Sequence, residues 1–269
     1  KEKCPHSHLL DSELILSKVL EKRREAILTE DDCNINYIQL MKFNNLIHRR
    51  NKQEPIAYIF GKKEFWKKEF SINKDTLIPR PETELLVEQV INLNKINSPY
   101  ILDIGTGSGC ILLSIIDEIN AAKGIGLDIS YKALKVAKKN AKNLKLDKRV
   151  NFVVGFEQFK SNRKFDIIVS NPPYINSYQM NNLPLDVKKF EPTVALNGGN
   201  DGLDVIRKVI YKAVAILKIK GMLALEIGHG QYKKVSQILK NNNFREKNIV
   251  KDYKNNIRCI VSVLENKKN

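Results

Sequence analysis

The segment Ser170-Asn171-Pro172-Pro173-Tyr174-Ile175 combines residues that can hold a flat amino group. It follows an apolar stretch that we expect to be a strand, and prolines cannot donate to a strand ladder, so nearby carbonyls are free to face a cleft. Asn171 supplies a carboxamide oxygen and Tyr174 an aromatic face. Two acceptors, one from a side chain and one from the backbone, would hold both hydrogens of a planar NH2 group and aim its nitrogen at an electrophile. A rigid Pro-Pro turn beside a core tyrosine is the alternative.

A second candidate site is a glycine-rich stretch after another apolar segment. Its members are Asp103, Gly105, Thr106, Gly107, Ser108 and Gly109. Glycine permits positive φ and lets a ligand approach the backbone closely. The spacing is GxGxG, and Cys110 occupies the last glycine position of the dinucleotide fingerprint GxGxxG, which disfavours a dehydrogenase. A tight strand-to-helix turn without a ligand is the alternative.

Asp128 strengthens the case for a nucleoside ligand at this stretch. It ends the next predicted strand about twenty residues after the glycines, where a carboxylate can accept both ribose hydroxyls. It could instead cap the following helix, a role that Ser130 can also fill. Asp103, beside the glycines, can hold an ammonium group. A ribose together with an ammonium group fits S-adenosylmethionine better than a pyrophosphate cofactor.

Strand-like and helix-like stretches alternate from residue 100 onward, which predicts an α/β domain with a largely parallel sheet. The predicted strands are 100–104, 124–129, 152–154, 165–170, 222–227 and 257–264. The predicted helices are 111–119, 131–146, 202–217 and 232–241. Ligands of such sheets bind beyond the carboxyl ends of the strands, where both candidate sites lie.

The first part of the chain differs in pattern. Residues 1–63 carry apolar side chains at helical spacing and are expected to form a small helical domain. Residues 64–81 have the pattern of a β-hairpin followed by a proline-stiffened linker. We expect the α/β domain to span residues 82–269.

Composition excludes several classes of protein. Apolar residues make up 42% and charged residues 28% of the 269 residues, which suits a packed core. No apolar run approaches the ~18–20 residues that span a bilayer, and the first ten residues lack the apolar region of a signal peptide. The four cysteines lack CxxC spacing, and Cys4, His6 and His8 have no fourth ligand beside them, so no metal is expected. These features predict a cytoplasmic protein.

The formal net charge of +16 favours an anionic partner, either a nucleic acid, a ribonucleoprotein or an acidic protein surface. Lysines recur along residues 131–149, a stretch that contains the predicted helix 131–146. This helix could contact RNA, but a solvated helix face is the simpler interpretation. We therefore expect no stable binding of nucleic acid.

The motifs taken together resemble those of the HemK/PrmC family. Besides the glycine stretch, Asp128 and the Asn-Pro-Pro-Tyr segment, the resemblance rests on residues 54–61, 77–84, 191–196 and 198–203, and it extends over roughly residues 10–262. Family members methylate the side-chain amide nitrogen N5 of the glutamine in the Gly-Gly-Gln motif of peptide chain release factors. The implied fold is a class I, Rossmann-like domain dependent on S-adenosyl-L-methionine, preceded by a small helical domain and a β-hairpin linker.

The resemblance also implies roles for individual residues. The glycine stretch would line the cofactor, and Asp128 would hold its ribose. Asn171, Pro172, Pro173 and Tyr174 would bind the glutamine amide, with Asn171 also beside the cofactor. Arg80, Pro81 and Glu82 would lie next to the active site, where a solvated linker is the alternative. The helical domain would recognise a class 1 release factor, and we expect the enzyme to be a monomer.

One departure from the family concerns the cofactor's adenine. Relatives usually carry an aspartate followed by an aromatic residue after the third strand, whereas this chain has Glu157 and Gln158. Two other functions stay open from the residues alone. One is a nucleic-acid methyltransferase acting on adenine N6 or guanine N2, whose base presents the same planar NH2. The other is a catalytically silent cofactor-binding module.

Overall fold

The computed structural model describes residues 5–29 and 34–266, with the backbone only for residues 5–8. Cys4 and Cys33 lie outside these ranges, as do the side chains of His6 and His8. The helices of the described residues are α1 (Pro5–Leu20), α2 (Arg24–Thr29), α3 (Tyr37–Asn51), α4 (Ile56–Phe60), α5 (Pro81–Leu93), α6 (Cys110–Glu118), α7 (Tyr131–Asn143), α8 (Leu185–Phe190), α9 (Asp204–Ile216) and α10 (Tyr232–Asn241). The strands are β1 (Lys62–Phe65), β2 (Lys68–Ser71), β3 (Tyr100–Ile104), β4 (Lys123–Asp128), β5 (Val150–Val154), β6 (Phe165–Ser170), β7 (Leu217–Glu226), β8 (Phe244–Lys251) and β9 (Ile257–Leu264).

The helices α1 to α4 pack together, and few of their side chains are buried. A capping box starts α3, because the Asn36 side chain accepts from the Gln39 backbone N–H and the Gln39 side chain accepts from Asn36. Yet α3 has no buried residue. An ion pair at 2.6 Å between Arg50 of α3 and Asp11 of α1 links the two helices instead.

The antiparallel hairpin β1–β2 joins the helical region to the larger sheet. Its turn residues Trp66 and Lys67 both have positive φ, as a tight two-residue turn requires. Phe65 and Phe70 point from the hairpin into the core beneath the larger sheet and are almost fully buried. The hairpin is thereby anchored to the α/β part of the chain.

Within the described residues, the larger sheet has seven strands in the order β5-β4-β3-β6-β7-β9-β8. The strands from β5 to β7 are mutually parallel, whereas β9 and β8 run antiparallel at one edge. The chain leaves β3 toward β4 and β5 on one side and returns to β6 on the other. The order therefore reverses between β3 and β6, and ligands of open α/β sheets bind outside the carboxyl ends of the strands at such a point.

Two hydrophobic layers cover the faces of this sheet because successive strand residues point to opposite sides. Ile101 of β3 packs in the layer that contains α5 and α6. Its neighbour Leu102 packs in the layer that contains α9 and α10. Helices therefore cover both faces of the sheet, and the ligand-binding loops lie at the carboxyl ends of its strands.

The predicted fold class is confirmed, with differences at individual elements. The bounds of β3, β6, β9 and α10 are those predicted. Strand β7 begins five residues before the predicted 222, and β8 was not predicted. Most side chains of β8 are exposed or partly exposed at the sheet edge, so its sequence lacks the apolar run that signals a buried strand.

Two further observations apply to the described residues. None of their helices combines the length and the apolar composition that crossing a membrane requires. Their His, Cys, Asp and Glu side chains form no group of three or more that could hold a metal ion.

Candidate active site

A cavity of about 920 Å³ opens at the carboxyl ends of β3, β4 and β6. Gly105 and Gly107 line it from the loop after β3, and Asn171, Pro172 and Pro173 line it from the loop after β6. The two candidate sites found in the sequence thus face one shared space. A ligand held by the first loop can therefore meet a ligand held by the second.

The loop after β3 presents its backbone to this cavity. Gly105 and Gly107 have φ values of +77° and +56°, and a Cβ built on either residue would meet nothing within 4 Å, because the space beside them is open. The neighbouring Thr106 and Ser108 are buried and do not line the cavity. Gly109 also stays off the cavity wall, since it packs against Leu113 and Ala137.

Asp128 fixes the shape of this loop from the end of β4. Its Oδ2 accepts the backbone N–H of Gly107 at 2.8 Å, and its Oδ1 accepts the backbone N–H of Ser130 at 2.8 Å. Burial raises the pKa of the Asp128 carboxyl, while these backbone N–H groups oppose that rise. Each carboxylate oxygen keeps a further lone pair for a ligand hydroxyl.

The loop after β6 forms a partition between the large cavity and a smaller one of about 180 Å³. Asn171 and Pro172 line both cavities, whereas Tyr174 and Arg80 line only the smaller one. A flat side chain in the smaller cavity would therefore lie against Asn171 and Pro172, which also border the larger cavity.

Hydrogen bonds connect Asn171 to a buried glutamate at the end of β7. The Asn171 Nδ2 donates to Thr83 Oγ1 at 3.2 Å, and Thr83 Oγ1 donates to Glu226 Oε2 at 2.7 Å. The Tyr174 hydroxyl donates to Glu226 Oε1 at 3.4 Å. Burial raises the pKa of Glu226 to about 7 and raises that of the Tyr174 phenol. Sequence reasoning missed the site roles of Thr83 and Glu226, although a lone carboxylate in the apolar run of β7 was an available signal.

A glycine-rich loop at 198–202 supports the partition from behind. The backbone N–H of Gly198 donates to the Ile175 carbonyl at 2.7 Å. A Cβ on Gly198 would lie 2.7 Å from the Pro173 carbonyl oxygen, a distance that real Cβ atoms do not reach. Glycine is therefore required there for close contact with the Asn-Pro-Pro segment.

Comparison with known proteins places this geometry in a family. A model of the PrmC N-terminal domain matches residues 2–61, and a model of a methyltransferase domain matches residues 97–260. The release factor glutamine methyltransferase of Buchnera aphidicola subsp. Schizaphis graminum is 43% identical over 92% of this chain and 90% of its own length. That of Caulobacter vibrioides is 36% identical over 94% and 89%. This chain belongs to the release factor glutamine methyltransferase family.

A solved structure shows the same fold at much lower identity. A methyltransferase from Pyrococcus furiosus superposes with a TM-score of 0.57 at 17% identity, covering 83% of this chain and 100% of that one. As a member of its family, this chain is an enzyme that uses S-adenosyl-L-methionine as methyl donor.

The large cavity fits that donor. Its open glycine backbones leave room for the amino acid part, and Asp128 offers acceptors for the ribose hydroxyls. Glu157 and Gln158 line the cavity from the turn after β5, together with Phe156. The exposed Glu157 pairs with Lys208 at 2.6 Å, which lowers the pKa of Glu157. Its carboxylate is therefore charged at the cavity rim.

Asp103 of this methyltransferase lies beneath the glycine loop and does not line the cavity. Its Oδ2 accepts from Thr106 Oγ1 at 2.7 Å, and its Oδ1 has no hydrogen-bond partner among the described residues. Burial raises the pKa of Asp103 to about 7. A contact with the ammonium group of the methyl donor stays a prediction, whereas the bond to Thr106 holds the loop.

Arg80, Pro81 and Glu82, the predicted site residues at the end of the linker, have different positions. Arg80 lines the smaller cavity, and its Nη2 donates to the buried Glu191 Oε1 at 2.6 Å. Glu191 Oε2 also accepts the backbone N–H of Ile78 at 3.2 Å, so Glu191 ties the linker to the segment between α8 and α9. Pro81 and Glu82 begin α5, are exposed and line neither cavity.

Proposed function

We propose that this enzyme transfers the methyl group of S-adenosyl-L-methionine to the side-chain amide nitrogen N5 of the glutamine in the Gly-Gly-Gln motif of class 1 peptide chain release factors. We further propose that it does so as a monomer in the cytoplasm. The observation that carries the substrate assignment is the partition at Asn171 and Pro172, which lines both the large and the small cavity. The family of the chain supports the same substrate.

In this proposal Asn171 Oδ1 and the Pro172 carbonyl oxygen accept the two N–H hydrogens of the glutamine amide. An amide nitrogen is a poor nucleophile because its lone pair is delocalised. Two acceptors in fixed positions raise the electron density at nitrogen and set its direction. Such orientation is worth up to ~7–11 kcal/mol, and groups already placed for the developing charge add to it. Pro173 stiffens the segment, and Tyr174 provides the wall against which the flat amide lies.

The methyl donor supplies an electrophilic methyl group on a positively charged sulfur. In our proposal the backbones of Gly105 and Gly107 hold its amino acid part, and Asp128 binds the ribose. Thr106, Ser108 and Gly109 keep the loop in shape, with Asp103 beneath it. Glu157 and Gln158 border the adenine. The glutamine amide needs no strong base before the methyl transfer, because its nitrogen becomes acidic once methylated and loses its proton afterwards.

We propose that the helical region at 1–63 recognises the release factor. Its helix α3 exposes Tyr37, Ile38 and Met41, with 76%, 66% and 55% of their surfaces accessible. Met41 lies four positions after Tyr37 and three after Ile38, spacings that bring side chains to the same side of a helix. An apolar face that the described part of the chain leaves uncovered is suited to binding a protein partner.

Transfer of a labelled methyl group tests the proposal. The enzyme is incubated with methyl-labelled donor and a purified release factor, and mass spectrometry locates the modified atom. We expect one methyl on the glutamine of Gly-Gly-Gln, and none on a factor in which that glutamine is replaced by alanine. Labelling of DNA or RNA with no label on the factor would contradict the proposal and favour a base as substrate.

A further inference from the structure

The hydrogen-bonded network that runs from Asn171 through Thr83 ends at Glu226, which lines neither cavity. We propose that Glu226 and Thr83 are positioning residues that hold the Asn171 carboxamide with its oxygen toward the amide to be methylated. This inference rests on the proposed function, because it concerns how that amide is held.

Each side chain in this network has a fixed set of hydrogen-bond donors and acceptors. A glutamate carboxylate can only accept, so the hydroxyl of Thr83 must point its single proton at Glu226 Oε2, 2.7 Å away. Thr83 Oγ1 then has only lone pairs left for its second neighbour. Only the Nδ2 end of Asn171 can bond to those lone pairs, and it does so at 3.2 Å. The Oδ1 end of Asn171 is therefore turned away from Thr83.

Orientation matters because the two ends of a carboxamide have nearly the same shape and opposite polarity. With Oδ1 toward the substrate, Asn171 accepts a proton of the glutamine NH2. With the carboxamide reversed, Nδ2 would face that NH2, and two donors would oppose each other. The difference lies entirely in the direction of the hydrogen bonds that begin at Glu226.

Several groups surround Glu226 and decide its charge. Tyr174 donates to its other oxygen, Oε1, at 3.4 Å. Burial is the main cause that raises the pKa of Glu226, and Glu82 of α5 adds to the rise. The hydrogen bonds from Thr83 and Tyr174 and the charge of Arg258 of β9 oppose it. The buried Cys259 of β9 lies nearby. The balance raises the pKa of Glu226 to about 7.

Protonation of Glu226 removes the fixed direction. The carboxylic acid can donate to Thr83 Oγ1, which frees the Thr83 proton to bond the Asn171 oxygen and hold the reversed carboxamide. Since the active form needs Glu226 deprotonated, kcat should rise as pH increases through about 7. At about one unit below the pKa, only roughly a tenth of the molecules carry the carboxylate.

The test compares three variants by steady-state kinetics on the full chain with a release factor as substrate. Glu226→Gln keeps the size of the side chain but replaces one of the two accepting oxygens with an NH2 donor at every pH. We expect its kcat to fall about tenfold to a hundredfold at alkaline pH, the effect of losing a hydrogen bond to a charged group, and to lose the rise near pH 7. Thr83→Val should lower kcat similarly, whereas Thr83→Ser, which keeps the hydroxyl, should restore most of it.

Matched controls separate positioning from folding. Asp166→Asn replaces another buried carboxylate, which bonds Lys218 and the backbone of Tyr100 at the opposite end of the sheet, and should leave kcat and its pH profile unchanged. Donor affinity by calorimetry and the KM for the release factor should stay within about twofold in E226Q and T83V, because neither residue lines a cavity.

The outcomes distinguish the two proposals. A wild-type enzyme that methylates no glutamine of the release factor contradicts the proposed function itself. A wild-type enzyme that does so, while E226Q keeps the same kcat and the same pH profile, overturns the positioning role. Equal loss in T83S and T83V would also overturn it, because the hydroxyl would then have no special part.

Discussion

The loops after β3 and β6 meet in one cavity but present different parts of the chain to it. The loop after β3 offers the backbones of Gly105 and Gly107, while its polar side chains Thr106 and Ser108 are buried out of reach. The loop after β6 offers the Asn171 side chain, whose orientation depends on Thr83.

This difference suggests a division of labour. A backbone cradle depends on glycine conformation and tolerates side-chain changes that do not disturb its shape. A side chain with a required orientation depends on every member of the network behind it. Changes at the first loop should therefore weaken donor binding, and changes at the second should lower the rate of transfer.

The largest effect is expected from Asn171→Ala. It removes an acceptor of the substrate amide, and loss of one preorganised hydrogen-bonding group at a reaction centre costs roughly 10²–10³-fold in kcat. Donor affinity, measured by calorimetry, should survive. Exposed Asn182→Ala is the control and should retain full activity. Near-normal transfer by N171A would remove the functional contrast between the loops.

A second prediction concerns the free energy of unfolding, which Glu226, behind the loop after β6, should make dependent on pH. The pKa of Glu226 is raised from 4.5 to about 7, so the folded protein holds this proton more tightly than the unfolded chain. The wild-type free energy of unfolding should therefore fall relative to that of Glu226→Gln as pH rises through this range, by up to roughly 3–4 kcal/mol at ~1.4 kcal/mol per pKa unit.

Urea unfolding of both proteins at about pH 5 and pH 8 measures this difference. The E226Q variant should gain more, relative to wild type, at the higher pH. A stability difference that is independent of pH would show that Glu226 keeps an ordinary pKa.

Asp128→Asn tests whether the loop after β3 serves donor binding rather than methyl transfer. The carboxylate accepts from Gly107 and Ser130 with both oxygens, whereas an asparagine must oppose one N–H group with its own NH2. We expect the Kd of the donor to rise roughly tenfold to a hundredfold, with kcat at saturating donor nearly unchanged. The exposed Asp147→Asn should leave the Kd as in wild type. A fall in kcat without weaker binding would contradict the division.

The smallest effect is expected from Gly107→Ala. Its φ of +56° is strained for alanine, which costs about 1–2 kcal/mol, and the added methyl group would enter the open space of the cavity. Donor affinity should fall by up to about tenfold in calorimetric titration. The exposed Lys139→Ala, which lines neither cavity, should bind the donor as wild type does. Equal losses in both variants would mean that the effect does not come from the glycine loop.

Much of this arrangement could be predicted from the sequence. Strands β3 and β6 are short apolar runs followed by distinctive residues, so both their bounds and the loops after them were found. Strand β8 was missed because its charged, largely exposed residues give no apolar signal. The start of β7 was missed because Lys218 and Lys220 interrupt its apolar pattern.

The network behind Asn171 lay beyond sequence reasoning for a different reason. Thr83 is 88 positions from Asn171, and Glu226 is 143 positions from Thr83, so no local spacing connects them. Thr83 and Glu226 meet because α5 packs against β7 in the folded chain. Likewise, Asp103 lies next to the glycines in the chain, but the fold turns its side chain beneath them.

The central claim is that the partition holds a glutamine amide by Asn171 Oδ1 and the Pro172 carbonyl. A crystal structure with S-adenosylhomocysteine and a Gly-Gly-Gln peptide tests it most directly. We expect the peptide's amide nitrogen at hydrogen-bond distance, about 2.7–3.2 Å, from both oxygens and facing the cavity at Gly105 and Gly107. A glutamine side chain bound elsewhere, or one that contacts Asn171 through Nδ2, would contradict the account.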